Sequence, residues 1–78
     1  MQVVELSPGV VSDPGILGGK PVIKGTRVPV SLVLGKLAGG ISMDKVRDEY
    51  YLTDEDIRAA FGYAAQQIEQ DTIVVTRQ

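Results

Sequence analysis

The chain has 78 residues, 44% of them hydrophobic and 23% charged, with a formal net charge of −2. That composition describes one soluble globular domain with one small core, and excludes a second domain, a disordered tail and a membrane protein. The absence of Cys and His excludes disulfides, thiolate or imidazole metal ligands, cysteine nucleophiles and any Ser-His-Asp triad. A sequence pI near 4.9 is far from the basic signature, above ~9, of an autonomous nucleic-acid-binding domain.

Met1-Gln2-Val3-Val4-Glu5 lacks a basic region followed by an apolar core, and the longest uncharged apolar stretch, Val28 to Gly35, is far short of the ~20 residues of a membrane span. A cytoplasmic protein with no membrane contact is the expectation. Val3, Val4 and Leu6, then Val10 and Val11, flank Ser7-Pro8-Gly9, which predicts a hairpin across a Pro-Gly turn. Ser12-Asp13-Pro14-Gly15 reads as a second turn. Lys20 to Val30 reads as extended backbone with a turn at Lys24-Gly25.

Near residue 29 the texture changes from Gly, Pro and β-branched residues to helical periodicity. The first helix is predicted over Val30 to Ala38, with an apolar stripe of Val30, Val33, Leu34 and Leu37 and a stop at Gly39-Gly40. The second starts at Ser42, a good N-cap, and ends near Tyr50. The third starts at Thr53-Asp54-Glu55-Asp56, a capping box with Asp in place of Glu. Ile57, Ala60, Phe61, Ala64 and Ile68 then form its apolar face to about Gln70. Ile73 to Val75 is a β-prone end that would add to a sheet edge. The predicted core is Val33, Leu34, Leu37, Val46, Tyr50, Ile57, Phe61 and Ala64. The fold class is mainly α (α+β): a single domain over residues 1–78, with a β or extended arm at 1–29, a three-helix, homeodomain-like helix-turn-helix core at 30–70 and a C-terminal tail at 71–78.

Charge is unevenly spread. Pro14 to Gly40 carries Lys20, Lys24, Arg27 and Lys36 and no acid, whereas Ile41 to Ala60 carries Asp44, Asp48, Glu49, Asp54, Glu55 and Asp56 against Lys45, Arg47 and Arg58. The third helix would be the recognition helix of a helix-turn-helix, but its first turn presents Asp54, Glu55 and Asp56 to a polyanion. The expected nucleic-acid or partner-binding residues are therefore Lys20, Lys24, Arg27 and Lys36. Within Gly18-Gly19-Lys20-Pro21-Val22-Ile23-Lys24-Gly25-Thr26-Arg27, glycines admit close approach and cations favour phosphates or carboxylates. The structural alternative is a turn whose Arg27 hydrogen-bonds carbonyls at the junction of sheet and helix. The P-loop spacing is absent. No spacing supplies Ser7, Ser12 or Ser31 with an activating base, and the acids of residues 44–56 lack EF-hand spacing, so no catalytic residue, metal site or cofactor is expected.

Ser12-Asp13-Pro14 through GGKPVIKGTRVPV, then Leu37 to Ser42, Tyr51-Leu52-Thr53-Asp54-Glu55-Asp56-Ile57 and Ala59 to Ala64, resemble the family known as domain of unknown function 433, over about Val11 to Ala65. Its signature falls on Gly19, Lys20, Pro21, Ile23, Gly25, Thr26 and Arg27. The resemblance implies a small homeodomain-like helical fold with an N-terminal β element, and an antitoxin role beside a PIN-like RNase toxin. Tyr51 stands where many relatives have Pro between the helices. Two functions stay open: a non-catalytic antitoxin-like module that neutralises such a toxin and also binds operator DNA, and a helix-turn-helix transcriptional regulator acting on DNA alone. A homodimer is expected from the small size and high apolar content, through the β element or the C-terminal segment.

Overall fold

The computed structural model describes residues 2–76, with side chains as far as residue 70. β1 (Val4–Ser7) and β2 (Val10–Ser12) pair antiparallel across the expected Pro8-Gly9 turn. β2 then pairs antiparallel with β3 (Val22–Ile23), so the sheet order is β1-β2-β3. Three helices follow: α1 (Val30–Ala38), α2 (Met43–Tyr50) and α3 (Asp54–Thr76). The protein is a mostly helical α+β domain with its small sheet at the N-terminus.

The helix signals in the sequence act as expected. Ser42 Oγ accepts from the Lys45 N–H at 3.1 Å, occupying one of the donors that a helix start leaves free. At the start of α3, Thr53 Oγ1 accepts from the Asp56 N–H at 3.1 Å while Asp56 Oδ2 accepts from the Thr53 N–H at 3.0 Å. This is a reciprocal capping box that works with the shorter Asp side chain. The Arg47 guanidinium joins Asp44 on its own helix to Asp54 at the start of α3, fastening the two helices at their junction.

That junction closes without a glycine. The N–H groups of Tyr51 and Leu52 both donate to the Arg47 carbonyl, Leu52 at 2.9 Å, and Tyr51 takes the left-handed conformation with φ 58° and ψ 43°. Leu52 and Val46 are both buried in the core, the apolar contact that accompanies such a helix end. Tyr51 occupies the position where glycine costs nothing, and its side chain is 93% exposed. We therefore expect Tyr51→Gly to stabilise the fold by about 0.5–1 kcal/mol, the left-handed cost removed less the extra chain entropy of glycine. Urea denaturation followed by circular dichroism checks this; a lower midpoint in the variant would contradict it.

The core unites Val10 and Ile23 of the sheet with Val30, Val33, Val46, Leu52, Ile57 and Ala60. Leu34, Leu37 and Tyr50 pack partly buried against it. Two expected core residues do not belong: Phe61 is 47% exposed, and Ala64 is half-buried without joining the residues that pack on the core. The reason lies in the sheet. Gly9 approaches Ala59 so closely that a Cβ on Gly9 would stand 2.7 Å from Ala59 Cβ, so the covered arc of α3 runs through Ala59, Ala60 and Tyr63. Phe61, two residues on from Ala59, lies roughly 200° around the helix from that flank.

The C-terminal segment also departs from expectation. α3 continues to Thr76 instead of ending near Gln70, so Ile73 to Val75 are helical backbone and not a β-prone end. After Gly62 the helix meets neither Gly nor Pro, and β-branched residues cost a helix only about 0.7 kcal/mol each or less. The expected tail is therefore helix as far as residue 76, and residues 77–78 lie outside the described part.

Candidate functional site

Hydrogen bonds of the signature segment divide it into a scaffold and a display. Ser12 Oγ donates to the Gly19 carbonyl at 2.6 Å, where Gly19 has φ 89°. The Val30 N–H donates to the Pro21 carbonyl at 3.0 Å and the Ile23 N–H to the Val28 carbonyl at 3.0 Å, so residues 21–30 fold back as a tight hairpin leading into α1. At its tip Thr26 Oγ1 donates to the Ile23 carbonyl at 2.8 Å and accepts from the Val28 N–H at 3.0 Å. Gly25 supplies the left-handed residue, with φ 81°. Ile23 is fully buried. Gly19, Pro21, Ile23, Gly25 and Thr26 are thus accounted for by folding.

Lys20 and Arg27 are not. Both are exposed, and among the described residues Arg27 makes no hydrogen bond to the carbonyls that the structural alternative required. The tip brings Arg27 beside Lys24, whose N–H donates to the Gly9 carbonyl at 2.9 Å. Lys24 Nζ lies 3.9 Å from Glu5 Oε2, with both side chains largely in solvent, a contact worth at most about 1 kcal/mol. Lys24 and Arg27 therefore form one exposed basic tip on a hydrogen-bonded turn.

The other two cations stand apart. Lys20 lies at the edge of a groove between α1 and α3 of about 510 Å³, lined also by Pro21, Val30, Leu34, Tyr63 and Ile68. Ser31 lines this groove from α1, and Lys36, five residues on, is rotated roughly 140° from it. Lys36 is also half-buried. The structure does not join Lys36 to the same surface as Lys20. The groove itself was missed in the sequence. Its signal was Tyr63, which sits three residues after Ala60 and so extends the apolar face on the flank that Ile57 and Ala60 share with α1.

The helix-turn-helix pair α2–α3 places Asp54 and Glu55 in solvent at the first turn of α3. Asp56 is half-buried and engaged in the capping box. Arg58 and Gln66 line a second cleft of about 490 Å³, between α3 and the Ser7-Pro8-Gly9 turn, together with Glu55 and Asp56. Of the serines, Ser12 is spent on the Gly19 carbonyl and Ser7 is buried at the end of β1. Among the described residues no helix is long and apolar enough to cross a membrane, and no group of three or more His, Cys, Asp or Glu could hold a metal ion.

A family model described as "Protein of unknown function (DUF433)" matches residues 10–64. The "Uncharacterized protein y4eO" of Sinorhizobium fredii is 46% identical over 56 residues, which are 70% of this chain and 25% of that protein. The chain thus spans about a quarter of the length of that curated relative. Among solved structures, a DUF433 member from Anabaena variabilis is similar with a TM-score of 0.71 at 30% identity, over 87% of this chain and 68% of that one. Rv2018 from Mycobacterium tuberculosis is similar with a TM-score of 0.60 at 40% identity, over 67% of this chain and 24% of that one.

Proposed function

We propose that this chain, which belongs to the DUF433 family, is a non-catalytic, antitoxin-like binding module that neutralises a PIN-like RNase and contacts operator DNA through its basic tip and Lys20. The observation that carries this reading is the exposed acidic first turn of α3, with Asp54 held by Arg47 and Glu55 free in solvent. A recognition helix meets phosphates with that turn, and two carboxylates there repel a polyanion. The same carboxylates complement the cleft of a nuclease, which is built to attract phosphates and metal ions.

For the toxin, the test is co-elution of the full chain with the proposed partner, a PIN-like RNase sought in the neighbouring reading frame. Wild type should form a complex on size exclusion, and Asp54→Asn with Glu55→Gln should weaken it at least tenfold, about 1.4 kcal/mol, without changing the circular dichroism spectrum. A complex indifferent to both changes would overturn the assignment of the acidic turn.

The regulator acting on DNA alone is the second reading, favoured by Arg27 and Lys24 on a rigid tip that folding does not require. Fluorescence anisotropy at several salt concentrations separates the surfaces. Lys20→Ala and Lys24→Ala should each lower the logarithmic salt slope by about 1, while Lys36→Ala leaves it unchanged and Gln66→Ala leaves sequence preference unchanged. Affinity that survives loss of Lys20 and Lys24 but fails with Gln66 and Arg58 would make α3 the reading helix.

A further inference from the structure

The cleft of about 490 Å³ between α3 and the Ser7-Pro8-Gly9 turn contains two residues that weaken the fold as they stand. Ser7, on the turn side, is 9% exposed, and its Oγ has no hydrogen-bond partner among the described residues. A buried hydroxyl left unpaired costs stability that an alanine would not. Gly9 beside it is committed on both sides: its N–H donates to Glu5 Oε2 at 3.3 Å and its carbonyl accepts from the Lys24 N–H at 2.9 Å. Gly62, on the helix side, is an exposed residue in the interior of α3. Glycine is the poorest choice after proline in a helix interior, and a Cβ built on Gly62 would meet nothing within 4 Å. Its φ is not positive either, so neither crowding nor backbone geometry calls for glycine there. Ser7 and Gly62 line the same cleft. One occupant explains both, because it would give the Ser7 hydroxyl a partner and would need the flat floor that Gly62 leaves.

We propose that this cleft receives an arginine side chain of the protein partner that docks on the acidic turn of α3, an inference that rests on the nuclease-binding reading and names the group that turn recognises. Charge complementarity selects a cation. Glu55 and Asp56 line the cleft against the single cation Arg58, and Glu55 belongs to both the acidic turn and the cleft. Hydrogen-bond geometry then selects a guanidinium. The acceptors stand on opposite walls, the Glu55 carboxylate on the helix and Ser7 Oγ on the turn, and a planar fork of five donors reaches both while lying flat on Gly62. No hydrogen bond holds the Ser7 hydroxyl elsewhere, so it turns to a group placed in the cleft. The register of β1 shifts between Glu5 and Ser7, the kind of bulge that re-aims a side chain.

The test is a nuclear magnetic resonance titration of the isotope-labelled full chain with acetyl-arginine amide, alongside acetyl-lysine amide and acetyl-glutamate amide. The arginine probe should shift the amide signals of Ser7, Gly9 and Gly62, and the other two should shift them less. Ser7→Ala should weaken arginine binding by roughly threefold to tenfold and at the same time raise the urea midpoint, because the unpaired hydroxyl is gone. Gly62→Leu should abolish binding by filling the cleft and leave the midpoint no lower than in the wild type. Absence of shifts, an equal response to lysine, or a stronger response to glutamate would overturn the proposal. So would a lower midpoint in Ser7→Ala, which would give the hydroxyl to the fold, or unchanged binding in Gly62→Leu. The titration contains no nuclease, so its failure is distinct from that of the toxin reading. Shifts without a nuclease complex would remove the toxin alone, and a complex sensitive to Asp54 and Glu55 without shifts would remove the arginine site alone.

Discussion

Ile57→Ala is expected to lower the stability of the fold by about 2–5 kcal/mol, the range for truncating a buried Ile where the surroundings cannot collapse. Ile57 is 1% exposed and sits where α3 meets the rest of the core. A domain of this length has a total of roughly 4–12 kcal/mol, so the variant stands near the edge of folding. Phe61→Ala, on the same helix one turn later, removes a larger side chain that is already half in water, and should cost about 1 kcal/mol. Urea unfolding followed by circular dichroism compares the two directly. Equal shifts in midpoint, or a larger one for Phe61, would mean that α3 is rotated from the orientation described.

Gly9→Ala carries the second large effect, and it arises from two separable causes. Gly9 has φ 82°, a conformation that costs an L-residue about 1–2 kcal/mol. Its added Cβ would also stand 2.7 Å from Ala59 Cβ, and such overpacking costs typically about 1–3 kcal/mol. The turn cannot back away freely, because the Gly9 carbonyl accepts from the Lys24 N–H at 2.9 Å and retreat would strain the link between β2 and β3. A total loss of about 2–5 kcal/mol is expected. The companion change Ala59→Gly costs about 1 kcal/mol alone, through helix propensity. Combined with Gly9→Ala it should recover the overpacking part and leave the backbone part, a favourable coupling of about 1–3 kcal/mol in a double-mutant cycle. Strict additivity would show that the hairpin and α3 do not touch at this point.

These two residues also mark what the sequence revealed and what it hid. Local signals were legible because their physics is local: Ser42 and Thr53 cap their helices with their own hydroxyls, and Pro8-Gly9 turns the hairpin. Phe61 was misplaced because a helical repeat gives the width of an apolar face but not which part another element covers. Only the packing of the hairpin turn on Ala59 decides that. The end of α3 was misjudged because Ile73 to Val75 favour strands in isolation, while an established helix loses little by continuing through them. At the candidate site, the four cations were identified as a set by charge alone. The turn at residues 24–27 joins Lys24 to Arg27, whereas the helical phase of α1 carries Lys36 away from the groove where Lys20 lies.

The proposed action of the acidic turn of α3 on a nuclease is read most directly by a cleavage titration. Increasing amounts of the full chain are added to the proposed partner, a PIN-like RNase sought in the neighbouring reading frame, with a labelled RNA as substrate. Cleavage is predicted to fall in proportion to the chain added and to stop at a stoichiometric ratio, with the inhibition weakened by Asp54→Asn and Glu55→Gln. Cleavage that continues undiminished at a large excess of the folded chain would contradict it.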